Sequence, residues 1–131
     1  EKETVKAIYL GVDEIAQIFD QTGLSKDEKK HIESIVGKVS IIARIGRAFG
    51  TYLILATQRP DANVLPGQIK GMLTVRIAGK CDDIMSQIIL DNTTASREIV
   101  GFNAGRFITD DGIQFQGFIH SGESESQDND R

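Results

Sequence analysis

Tryptophan is absent from this 131-residue chain, and cysteine occurs once, at Cys81. A single thiol excludes an intrachain disulfide and fits a reducing compartment. The only histidines are His31 and His120. Neither has a cysteine or second histidine at metal-ligand spacing, so no zinc site is expected. Aromatic residues make up 6%, so the core must be aliphatic. No apolar run approaches the roughly 18 residues of a membrane-spanning helix. Positive charge is not in excess: 15 Lys and Arg stand against 19 Asp and Glu, net −4. That balance argues against nonspecific nucleic-acid binding by bulk charge and leaves room for a local basic patch. There is neither an initiator Met nor a signal-peptide pattern, and the chain opens almost inside an apolar strand. It therefore reads as a piece of a longer protein whose targeting or anchoring segment would lie elsewhere. The phosphate-cradling pattern G-x-x-x-x-G-K-[ST] is also missing; Gly37-Lys38 and Gly79-Lys80 lack both its spacing and its hydroxyl residue.

What is present suits one α/β domain. Apolar residues are 40% and charged residues 26%, enough for a single core and too polar at no point for general disorder. Val5 to Val12 reads as a nearly continuous apolar strand, expected to be buried on both faces of a parallel sheet. The short helix "DEIAQIFD" should follow. Ser25 and Glu28 form a capping box opening a long helix. Its stripe runs through Ile32, Ile35, Val36, Val39, Ile42, Gly46 and Phe49. The half "VSIIARIG" is apolar nearly all round and should be the more deeply buried, with Gly50 as C-cap. "TYLILAT" is a second strand, "QRPDANVLPGQIKG" a loop with a short helix near Pro66, "LTVRIAG" a third strand and "DDIMSQIILD" a helix. A turn and short helix, "NTTASREIVGFNAG", lead into a β-hairpin turning at Asp110-Asp111-Gly112, with Phe107 and Phe115 among its apolar positions. Residues 123–131 form a polar tail that reads as disordered.

Three constellations could carry chemistry. Asp13 and Glu14 stand at the carboxyl end of the first strand, where ligands bind in open α/β sheets. An aspartate there can hold Mg²⁺, directly or through water, and a neighbouring glutamate can orient or deprotonate an attacking water. The pair alone reads more readily as a helix start, with Asp13 as N-cap and Glu14 favourable to the helix dipole. Thr57, Gln58 and Arg59 end the second strand, where a neutral amide can reach a phosphate; alone they are a polar strand-to-loop transition. Arg44 and Arg47 share a helix face. Arginine suits a phosphate across a subunit boundary, although two surface arginines near a helix C-terminus need no function. His31 reads as solvated and Cys81 as a small residue near a strand end.

"AIYLGVDEIAQIFD", "RAFGTYLILATQRP", "IKGMLTVRIAG" and "SQIILDN", in that order and at compact spacing, resemble the later part of the motor domain of the FtsK/SpoIIIE family of DNA-translocating ATPases. The resemblance covers roughly residues 5 to 119, and "RAFGTYLILATQRP" is its most specific element. It implies a partial RecA-like P-loop NTPase core, with residues 1–122 as the C-terminal portion of the motor domain and the phosphate loop upstream. It also implies ATP and Mg²⁺ as cofactors, DNA as partner and assembly into a hexameric ring. By the same resemblance Asp13 matches the Walker B aspartate organising Mg²⁺ and Glu14 the catalytic glutamate. Thr57 and Gln58 line the nucleotide, with Gln58 as the polar sensor. Arg47 is the arginine-finger candidate, with Arg44 as substitute. Arg59 and Lys70 match basic positions directed toward DNA, with Lys80 beside them. Asp82, Asp83 and Gln87 depart from the family, standing where basic residues are common. The ending resembles the branch of conjugative coupling proteins, which implies a cytoplasmic domain of a membrane-anchored protein working with conjugation or division machinery. A type VII secretion motor and a non-catalytic assembly module are the alternatives. The 131 residues alone are expected not to hydrolyse ATP.

Overall fold

A computed structural model describes residues 6–58, 66–101 and 104–118. Its elements are β1 (Ile8–Val12), α1 (Ile15–Phe19), α2 (Lys26–Ile45), a 3₁₀ turn (Gly46–Phe49), β2 (Thr51–Leu55), α3 (Gly67–Met72), β3 (Ile77–Ala78), α4 (Asp83–Leu90), α5 (Thr94–Glu98), β4 (Arg106–Thr109) and β5 (Gln114–Gln116). The expected α/β class holds: β1 and β2 pair in parallel, Ile8 opposite Thr51 and Val12 opposite Leu55, with the long helix α2 as crossover. Val5 and the expected tail lie outside the described residues.

The local signals act as read. Ser25 and Glu28 close the capping box reciprocally: the Ser25 N–H donates to Glu28 Oε2 at 2.8 Å, and Ser25 Oγ accepts from the Glu28 N–H at 3.4 Å. Gly50 takes φ 69° and ends the 3₁₀ turn, its N–H donating to Arg47 O. The hairpin turns through Gly112 (φ 86°), and Phe107 lies opposite Phe115 with the rings stacked at 5.5 Å.

Two apolar clusters hold the chain. Ile15, Phe19, Val39 and Ile69 pack with Val12, Val36, Leu53 and Leu55, so one face of the parallel pair is covered by α1, α2 and α3. Ala78, Leu90, Ala95, Ile99 and Ile108 form the second cluster beneath the antiparallel sheet. Burying an aliphatic side chain such as Ile69 or Ile108, both fully inaccessible, contributes about 1.5–3 kcal/mol.

Two expectations need correction. The third strand does not extend the parallel sheet. Only Ile77 and Ala78 pair, and they pair antiparallel with Thr109 and Ile108. The hairpin competes successfully because its edge accepts β3 in register over the second cluster, where Ala78 and Ile108 bury together. The first strand is not buried on both faces: Ile8 through Gly11 are exposed, and Tyr9 and Tyr52 stack at 5.2 Å on a face that no described helix covers. The second half of α2 is the more deeply buried, as expected: Val39 is packed and Ser40, Ile42 and Ala43 are half-buried, although Ile41 and Ile45 stay exposed.

Gly46 brings the end of α2 against the start of β2. A Cβ there would stand 2.9 Å from Thr51 O and 3.2 Å from Ile42 Cγ2. The nearer clash is with backbone, which cannot swing away. Gly46→Ala is therefore expected to destabilise the chain by about 1–3 kcal/mol, read as a lowered urea midpoint. An unchanged midpoint would contradict this packing.

Candidate nucleotide and DNA site

β1 and β2 run in parallel, so both deliver their following residues to one edge of the sheet. Asp13 and Glu14 leave β1 there, and Ala56, Thr57 and Gln58 leave β2. Backbone bonds zip the two exits together: Ala56 N–H donates to Val12 O and Ile15 N–H to Ala56 O, each at 2.9 Å.

Glu14, not Asp13, is the N-cap of α1. It adopts φ 51°, ψ 62°, a left-handed conformation that costs a non-glycine residue roughly 1–2 kcal/mol. The turn is held by the Glu14 side chain, which reaches across to the other exit. Thr57 Oγ1 donates to Glu14 Oε1, and the Gln58 N–H donates to Glu14 Oε2 at 2.9 Å. The predicted acid and the predicted Thr57–Gln58 pair are thus in direct contact. Asp13 stays exposed at the strand end, and no described ion pair uses it. Among the described residues no group of three or more His, Cys, Asp and Glu gathers around it. A lone exposed carboxylate of this kind fits Mg²⁺ only where water and a ligand's phosphates supply the remaining positions.

Arg44 and Arg47 stand elsewhere. Arg44 lies in the last turn of α2 and Arg47 in the 3₁₀ turn before β2. The five residues of β2 separate them from Glu14 by roughly 16 Å at ~3.3 Å per residue. Both arginines are exposed and line a cavity of about 530 Å³ with Tyr9, Tyr52 and Thr74. The fold does not bring them to the edge carrying Glu14. Arg59 lies outside the described residues. Lys80 is exposed, its Nζ donating to Gly101 O at 2.6 Å. Lys70 is mostly covered and paired, Nζ to Asp91 Oδ1 at 2.5 Å.

That pair belongs to a node that sequence reading missed. Arg76 donates to Asp91 Oδ2, to Asp110 Oδ2 at 3.3 Å and to Ile89 O at 3.3 Å. Its backbone N–H also reaches Asp110 Oδ1. Lys70, Asp91, Arg76 and Asp110 thereby link α3, the end of α4, the approach to β3 and the hairpin turn. The signal was a lone arginine inside "LTVRIAG": a charge in an apolar strand needs a partner. Asp82 and Asp83, which depart from the pattern the sequence resembles, have structural tasks here. Asp82 caps α4 by accepting from the Met85 N–H at 2.7 Å, and Asp83 accepts from Ser96 Oγ.

The node sets a pH dependence. The hydrogen bond from Lys70, then that from Arg76, holds the Asp91 carboxyl below its ordinary range. The Arg76 backbone N–H does the same for Asp110. Arg76 is raised, chiefly by its bond to Asp91, so it stays charged throughout. Carboxyls depressed by folding stabilise above the unfolded carboxylate range and lose that contribution as pH falls through their folded values. Stability of the chain should decline below about pH 4, and Arg76→Met should flatten that decline. Urea midpoints at pH 7 and pH 3 test this; an equal drop in both proteins would contradict it.

No family model matches the chain. DNA translocase FtsK of Campylobacter jejuni is 37% identical over 90 residues, 68% of this chain and 9% of that protein. The FtsK of Pseudomonas aeruginosa is 37% identical over 95 residues, 72% of this chain and 11% of that protein. This chain thus spans about a tenth of the length of these curated relatives. Among solved structures, the pCW3 conjugation coupling protein TcpA, in a monomer form with ATPγS, superimposes with TM-score 0.78 at 39% identity, covering 89% of this chain and 34% of that one.

Proposed function

Because this chain belongs to the FtsK/SpoIIIE family of DNA translocases, we propose that it carries the water-activating edge of an ATP-driven DNA translocase motor. The observation that carries this reading is the contact of Glu14 with Thr57 and the Gln58 amide across two parallel strand ends. That edge is where an α/β sheet binds its ligand. The coupling protein it superimposes on was solved with ATPγS, which supports nucleotide as the ligand.

In this reading Asp13 would hold Mg²⁺ through water, and the ion when bound would neutralise charge on the β- and γ-phosphates. Glu14 orients the attacking water and accepts its proton. A carboxylate offers about four lone-pair sites, so the bonds from Thr57 and Gln58 can fix its plane while it accepts the proton. The Gln58 side chain, exposed at the same edge, senses the γ-phosphate. Because Arg47 lies at the opposite edge, its finger role is toward a neighbour's nucleotide, which suits a head-to-tail ring, six-membered in this reading. Arg59, Lys80 and Lys70 meet DNA phosphate without reading sequence. The protein is proposed to work as a cytoplasmic motor at the membrane, in conjugative transfer or chromosome segregation.

DNA-stimulated ATP turnover by the intact protein tests this. Hydrolysis should rise with duplex DNA, and DNA affinity should fall steeply with salt. Turnover indifferent to DNA would point to a different cargo. The 131 residues alone should show no turnover; hydrolysis abolished by Asp13→Ala would overturn that expectation.

A further inference from the structure

Of the proposed DNA contacts among the described residues, Lys70 is the one that the fold has already given to an anion. Its side chain is only 19% exposed, with Nζ 2.5 Å from Asp91 Oδ1, whereas the Asp91 side chain is 60% exposed. A phosphate approaching Lys70 must therefore compete with Asp91. We propose that Asp91 is an internal counter-ion that holds Lys70 back and gives it up when DNA phosphate arrives. The inference rests on the reading of Lys70 as a DNA contact.

The geometry makes the exchange inexpensive on the Asp91 side. Arg76 donates to the second carboxylate oxygen, Oδ2. When Lys70 leaves, Asp91 keeps a guanidinium partner and no bare charge is created. Arg76 in turn stays anchored by Asp110 and Ile89 O, so it does not follow Lys70. Asp91 itself is fixed by backbone: it ends α4 at φ 62°, with its N–H bonded to Gln87 O. The carboxylate is thus a stationary post and Lys70 the moving part, on a flexible four-carbon stem. An open cavity of about 640 Å³ adjoins the pair, lined by Lys70, Gln87, Asp91 and Thr93. It gives a phosphodiester room to approach. Asp83, on the same rim, accepts from Ser96. The remaining negative charge there makes the cavity a poor resting place for an anion without Lys70. Occupancy by DNA therefore depends on that one ammonium.

The device would make Lys70 contribute late in DNA engagement. It would hold only phosphate already brought close by other basic side chains such as the exposed Lys80, and would return to Asp91 as the phosphate departs. A motor that must release DNA at each step gains from a contact with a built-in competitor.

The test is duplex DNA affinity of the intact protein across a salt series. Asp91→Asn keeps the left-handed turn, which asparagine tolerates, and removes the charge. It should tighten binding at low salt by about two- to fivefold, the range expected for removing one such ion pair. Lys70→Gln should weaken binding and lower the slope of log K against log salt by about 1. In the Lys70→Gln background, Asp91→Asn should have no further effect. Asp91→Gly, with no backbone strain, should behave like Asp91→Asn, so a poorly folded asparagine variant does not decide the matter. If Lys70→Gln weakens binding but neither Asp91 variant tightens it, the counter-ion role is wrong. The same follows if tightening persists without Lys70, because Asp91 then acts only through general charge. If Lys70→Gln leaves affinity and slope unchanged, the reading of Lys70 as a DNA contact fails and takes the inference with it.

Discussion

Glu14→Gln in the intact protein is expected to lower DNA-stimulated ATP turnover by about 10²–10⁴-fold, the usual contribution of a positioned general base, with nucleotide binding nearly unchanged. Glutamine keeps the shape of the side chain. Its amide oxygen can still accept from Thr57 or from the Gln58 N–H, so the zipped strand ends should persist. What it loses is the ability to take a proton from water. A loss confined to turnover therefore separates chemistry from architecture. Wild-type turnover in Glu14→Gln would remove the catalytic assignment. A collapse of nucleotide affinity would show instead that Glu14 matters by holding the left-handed turn at φ 51°. Thr57→Val supplies the contrast. It removes the hydroxyl that donates to Glu14 Oε1 and should reduce turnover less, because the Gln58 amide still fixes the other oxygen.

Arg47→Ala should cost as much or more. An arginine finger is worth about 10³–10⁵ in turnover. Arg47 is exposed on the 3₁₀ turn, so truncation should leave the fold intact, unlike Gly46→Ala one residue earlier. Arg44→Ala should be mild if Arg47 is the finger. The reverse order of effects would transfer the role to Arg44, one turn back on the same exposed surface. Near wild-type turnover in both variants would leave the cavity shared with Tyr9 and Tyr52 without a catalytic part.

The local elements were legible because their signals are short-range. Ser25 and Glu28 announce the capping box, Gly50 the left-handed stop and Asp110-Asp111-Gly112 the hairpin turn, and each acts through neighbours within a few residues. The meeting of Glu14 with Thr57 and Gln58 could be anticipated from strand order alone, since parallel strands bring their carboxyl ends together. Its details could not. Nothing in "GVDEIA" says that glutamate rather than aspartate takes the cap, because that choice is made by the hydrogen bonds from across the sheet. The burial of β1 was misread for a related reason: an apolar strand reports how much cover it suits, not how much the described helices supply. "LTVRIAG" failed as a parallel strand because β4 offers Ile77 and Ala78 a paired edge and a shared core. Its arginine, which the sequence reading passed over, ties the approach to β3, the end of α4 and the hairpin turn together. Long-range partners of this kind leave only an indirect trace, a charged residue in apolar company.

The central claim is that a catalytic site is completed between subunits, with Glu14 from one and Arg47 from the next. Mixing tests it most directly. Glu14→Gln subunits keep Arg47, and Arg47→Ala subunits keep Glu14. Each homogeneous preparation should be inactive, but in an equal random mixture about a quarter of head-to-tail interfaces pair an intact Glu14 with an intact Arg47. DNA-stimulated ATP turnover should therefore reappear on mixing and peak near equal proportions. Turnover that stays at the level of the separate variants at every ratio, in rings shown to have exchanged subunits, would contradict the account.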